Sequence, residues 1–298
     1  MLKMYRKIAV VILGLSLYCW GSEAQVIEPP KVKPMERPWP KIHTPNRKRP
    51  VPYAPVREAD VIWAKRIWRV IDLREKQNLP LYYPLRPVRD RKSLASVLFE
   101  AVITPQQENP YGSNYLTAYT DEDLAERYTT VDDVKRRLSF EYRDTYIDSL
   151  GNETTQEKVY ELKAEDVVKY FIIEDWFFDK RRSQLDVRIH AICPVYYRFI
   201  MSNGQKQYLE DPSPTFWIYY PEARFWLVNN EAYNPKNDAE WRTYDDIFTK
   251  RKFASYIYKE ENVYDRMISD YASGLDALLE SERIKSEIQQ FEQDLWEY

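Results

Sequence analysis

The densest group of reactive side chains in the sequence is Glu174-Asp175-Trp176-Phe177-Phe178-Asp179-Lys180-Arg181-Arg182. Paired carboxylates beside aromatic rings are the equipment of glycoside hydrolysis, one serving as acid and the other as base or nucleophile. The spacing argues against that use. Adjacent residues of a strand project to opposite faces, so Glu174 and Asp175 are badly placed to share a substrate. The same residues suit a turn in which Asp175 or Asp179 pairs with Lys180, Arg181 or Arg182 while Trp176 and Phe178 are buried. This structural reading is preferred, with Asp175, Trp176, Phe178 and Asp179 as its core.

The rest of the catalytic inventory is sparse. His43 and His190 are the only histidines. His190 falls at an alternating position of an expected strand, where a satisfied structural histidine is the simpler assignment. One histidine and one cysteine in the body cannot supply a common N/S zinc site. Outside residues 1–24 only Gly112, Gly151, Gly204 and Gly274 remain, too scattered to build a phosphate-cradling loop. No metal, no cofactor and no catalytic residue are therefore expected, and the chain is read as not an enzyme.

Several elements must position these residues. Residues 1–24 read as a secretory signal: Lys3, Arg6 and Lys7 precede an apolar run, with cleavage expected before Gln25. Cys19 leaves with it, and Cys193 becomes the sole thiol. Residues 25–56 form a basic, proline-rich arm, with nine of the nineteen prolines between 29 and 55. Such composition cannot pack a core and favours extended polyproline structure. Trp39, Arg47, Lys48, Arg49 and Tyr53 give the arm the apolar and cationic anchors of a docking element. From Gln25 to Phe99 there are 17 Lys+Arg against 7 Asp+Glu, a net +10; from Glu100 to Tyr298 the count is 24 against 39, a net −15. Such segregation suits ends that meet oppositely charged surfaces, either in a neighbour or within the chain itself.

A body of 57–260 and a C-terminal helical segment of 261–298 follow. The spacing of Trp63, Ile67, Val70 and Ile71 predicts a helix opening the body, closed near Asn78-Leu79-Pro80. Arg66, Trp68 and Arg69 lie off its stripe and are candidate partner contacts. Ser93 caps an expected helix to Ile103, and further helices are expected over 122–128 and 131–138. Strands are expected on either side of 149–152, over 187–193, 195–201 and 215–220, and briefly over 224–228, with Asn203-Gly204 as a hairpin turn. Two helical stripes end the chain: Tyr264, Met267, Ile268, Tyr271, Leu275 and Leu278, then Ile284, Ile288, Phe291 and Leu295. The expected class is α+β, a central antiparallel sheet flanked by helices.

Two stretches carry a resemblance. Ala59-Asp60-Val61-Ile62-Trp63-Ala64-Lys65-Arg66-Ile67-Trp68-Arg69-Val70-Ile71-Asp72, continued by Asn78-Leu79-Pro80-Leu81, resembles the GldN/PorN family of the gliding-motility and type IX secretion machinery. So does Glu174 to Lys180, followed by Arg188-Ile189 and Cys193-Pro194. The resemblance implies a periplasmic, non-enzymatic subunit without a membrane span of its own, lying beneath the outer membrane. It also implies a ring complex with a GldK/PorK-type lipoprotein, contact with a GldM/PorM-type inner-membrane motor protein, self-association within the ring, and no nucleic acid. Two other functions fit the residues: a carbohydrate-active or wall-binding exported protein, and a direct cargo adaptor.

Overall fold

The computed structural model describes residues 49–88, 91–105, 115–147, 153–202, 205–234 and 240–296. The expected signal peptide, and Trp39, Arg47 and Lys48 of the arm, lie outside the described residues. Those that are described belong to one unit spanning Pro45–Tyr298.

The fold is α+β. Its strands are β1 (Val61–Asp72), β2 (Ala118–Tyr119), β3 (Ser139–Ile147), β4 (Glu153–Glu161), β5 (Val167–Asp179), β6 (Gln184–Ser202), β7 (Gln205–Pro214), β8 (Trp217–Tyr219) and β9 (Tyr256–Glu260). Its helices are α1 (Leu79–Tyr82), α2 (Leu94–Ile103), α3 (Val131–Arg137), α4 (Tyr220–Asn229), α5 (Tyr244–Thr249) and α6 (Leu275–Trp296). The sheet runs β2-β8-β6-β5-β1-β9; β3 and β7 join β6, and β4 joins β3. All pairings are antiparallel except the short β3–β6 contact.

The expected opening helix is a strand. β1 sits between β5 and β9, and every residue from Ile67 to Ile71 is buried. A strand covered on both faces shows no alternation, so periodicity cannot separate it from a buried helix. Composition decides: seven of its twelve residues are β-branched or aromatic, which favours the extended chain. Three further expectations are corrected. Residues 122–128 form turns, with Leu124 at φ 55° and a bridge from Tyr119 to Arg127. Residues 224–228 belong to α4, whose Ala223, Trp226 and Leu227 are buried at helical spacing after Pro221. The stripe from Tyr264 to Tyr271 is irregular apart from one short 3-10 turn; Asp265 and Gly274 take positive φ, and α6 starts only at Leu275.

Another expectation holds. Ser93 Oγ accepts the Ser96 amide at 3.3 Å and caps α2. The expected Asn203-Gly204 turn lies outside the described residues, and the hairpin around it joins β6 to β7 rather than to the strand expected over 215–220, of which β8 covers only Trp217–Tyr219. β6 runs unbroken through Pro194, merging two expected strands into one.

Three apolar clusters hold the sheet. The largest packs α2, α4 and α5 against one face. A second, Ile67, Ile257, Ile268, Ile284 and Ile288, seats α6. A third, Trp68, Ile173, Ala191, Cys193 and Trp217, covers the opposite face of β1. No helix among the described residues is long and apolar enough to cross a membrane.

Candidate functional site

β1 and β5 pair residue by residue, Arg66 opposite Asp175 and Ile67 opposite Glu174. The acidic cluster and the residues off the expected helical stripe therefore form one patch of ladder. Alternation places Glu174 and Asp175 on opposite faces.

Glu174 is fully buried. Arg251 lies against both of its oxygens, at 2.9 and 3.0 Å, and Trp176 Nε1 donates to it at 3.0 Å. Arg69 Nη1 stands 3.9 Å away, while Arg69 Nε and Nη2 donate to the Ser255 hydroxyl and carbonyl at 2.9 and 3.2 Å. Burial pushes the Arg69 pKa down, and Glu174 opposes that shift. A buried carboxylate shared by two guanidiniums is a structural tie, because each ion is costly there without the other.

Asp175 faces the other side. It accepts a forked pair of hydrogen bonds from Arg66 at 2.7 and 3.2 Å, with His190 Nδ1 at 3.6 Å. Burial, then the Arg66 charge, lowers the His190 pKa against the pull of Asp175. The unfolded chain thus binds more protons at this histidine. The stability it contributes is present above about pH 6.5 and lost as pH falls below it. Urea midpoints measured between pH 7.5 and 5 should therefore fall less steeply for His190→Gln than for the parent chain.

Asp179 ends β5. Its carboxylate accepts the Arg181 and Arg182 amides at 2.9 and 3.4 Å and Arg182 Nε at 2.7 Å, and the Arg182 bond chiefly lowers its pKa. Phe178 is buried and Trp176 half-buried. Trp63 stacks on Phe291 with ring centroids 4.9 Å apart, and Ile67 is fully buried. Cys193 is buried too, which pushes its thiol up to about 12 and keeps it protonated and unreactive.

The candidate partner contacts divide. Trp68 and Arg69 are only 7% and 8% exposed, facing into the chain. Lys259 Nζ sits 4.6 Å from the Trp68 ring centre, itself tied to Glu122 and Asp265 at 3.1 and 2.7 Å. Arg66 is half-buried, and Arg49 is exposed. The end of the arm folds onto the body. Tyr53 lies between the guanidiniums of Arg188 and Arg224, at 5.1 and 4.4 Å. Arg224 donates to the Val51 carbonyl at 2.7 Å and Arg188 to that of Ala54 at 2.5 Å. Asp245 fixes Arg224 with bonds of 2.8 and 3.0 Å. Sequence reasoning missed Arg188, Arg224, Arg251 and Lys259, most of whose partners lie tens to more than a hundred residues away. No local pattern announces such pairs.

Among the described residues no group of His, Cys, Asp and Glu could hold a metal ion. The profile of the family described as "Gliding motility associated protein GldN" matches residues 56–297, most of the chain. The chain belongs to the GldN family. The match begins five residues before β1 and ends beyond α6, so the sheet and the C-terminal helix are one family unit. No curated protein matches the chain.

Proposed function

We propose that this GldN-family chain is a non-enzymatic structural subunit of the type IX secretion and gliding machinery. It works in the periplasm as part of a ring complex with a GldK/PorK-type lipoprotein, and it also meets a GldM/PorM-type motor protein and further copies of itself. The observation that carries the non-enzymatic part is the opposition of Glu174 and Asp175 across β5. Each carboxylate is held by arginine, and neither shares a cleft with the other.

The arm is the proposed docking element for the lipoprotein. Its last residues, Val51 to Pro55, are tied down by Arg224, Arg188 and Arg181. Such anchoring reduces the ordering entropy lost when the preceding residues are engaged. Trp39, Arg47, Lys48 and Arg49 supply an aromatic anchor and cations for an acidic acceptor surface. Deleting residues 26–48, with 49–55 kept, should leave the body folded and abolish co-purification with the lipoprotein. Undiminished capture by the shortened chain would remove the arm from the proposal.

A further inference from the structure

A groove of about 1080 Å³ lies at the far end of β1. Asn78 Nδ2 donates to the Asp72 carbonyl at 2.7 Å, which fixes the segment that walls it. Leu79, Pro80, Tyr83, Tyr233 and Ile247 give an apolar lining, with the two tyrosines 41% and 39% exposed. Among the described residues, three cations stand around it, Lys76, Arg242 and Lys252, against one carboxylate, that of Glu240. Arg242 neutralises that carboxylate at 2.7 Å. Lys76 and Lys252 form no ion pair among the described residues. The groove therefore asks for a segment that is both apolar or aromatic and anionic.

One segment of this chain has that chemistry. Glu292-Gln293-Asp294-Leu295-Trp296-Glu297-Tyr298 carries three carboxylates, two aromatic rings and no cation. Its own groove is out of reach. Ser281 of α6 accepts the amide of Ile257, which pairs with Arg69, and Phe291 stacks on Trp63. The helix thus runs antiparallel to β1, and its residues after Phe291 move away from Asp72. Nine strand steps from Trp63 to Asp72 already span about 30 Å. Segment and groove lie at opposite ends of the same strand.

We infer that residues 292–298 of one copy dock in the Lys76–Lys252 groove of the next. The contact is heterologous: each copy offers a segment at one end and a groove at the other, so it propagates into a ring if the rotation closes. The inference deepens the self-association named above and rests on that part of the proposed function.

A fluorescein-labelled, amide-ended peptide of residues 289–298, titrated with the full chain by anisotropy, tests it. Saturable binding is expected, weakened at least tenfold in the Lys76→Glu/Lys252→Glu variant. A peptide carrying Glu292→Lys, Asp294→Lys and Glu297→Lys should bind that variant and restore the loss. No binding at millimolar protein, equal binding of a scrambled peptide, or an affinity indifferent to both lysine changes would overturn the inference. Lipoprotein capture is read separately through the arm, so failure of the groove and failure of the subunit reading give different results.

Discussion

Glu174→Gln is expected to lower the unfolding free energy by about 3–5 kcal/mol, the range for removing one partner of a buried ion pair. Glutamine keeps the size of the side chain and can still accept from Trp176, so packing is nearly unchanged. What it removes is the charge that Arg69 and Arg251 share. The Arg69 side chain is 9% exposed and cannot shed its proton at any accessible pH. Its cation would remain in the interior without a counter-charge. Urea unfolding followed by tryptophan fluorescence measures the effect, and a loss below about 1 kcal/mol would contradict the structural role. Asp175→Asn is the internal control. Its ion pair with Arg66 is about one-third exposed on both sides, so solvent screening holds the cost to about 1 kcal/mol or less.

The second large effect is at Trp68. Trp68→Ala removes the centre of the third apolar cluster and should cost about 3–5 kcal/mol. The ring also carries the aliphatic stem and ammonium of Lys259, only 4% exposed, which would lose its aromatic face. Trp68→Phe should be far milder. Trp68 Nε1 is buried without a hydrogen-bond partner, so replacing indole by phenyl deletes an unsatisfied donor while keeping most of the apolar contact. Thermal unfolding of both variants separates the two cases. A partner-facing Trp68 would instead give two variants of parental stability, with the loss appearing in complex assembly.

These two residues also show how far the sequence could be read. Both stretches that carry the family resemblance were visible in the sequence, but their adjacency was not. β1 and β5 form one ladder, and the register that sets Ile67 beside Glu174 depends on pairing across more than a hundred residues. The helix expected over β1 failed because five consecutive buried positions erase the two-residue period. β7 escaped for the opposite reason: its first eight residues are exposed, so no face is marked by apolar side chains. Short polar cues fared better, as at the Ser93 cap, because they act within three or four residues. In the acidic cluster, alternation alone was enough to separate Glu174 from Asp175. It could not supply Arg251, which arrives from the loop after α5 to close the buried pair.

On the proposed function, this GldN-family chain acts through its surfaces and its half-exposed polar residues do no chemistry. Asp175 and His190 are the most accessible acid–base pair in the cluster. The decisive measurement is complementation of a strain lacking the chain with Asp175→Asn/His190→Gln, scoring secretion and surface movement beside the parent chain. Both should be restored to parental levels. A folded double variant that still captures the lipoprotein yet restores neither would contradict the proposed function.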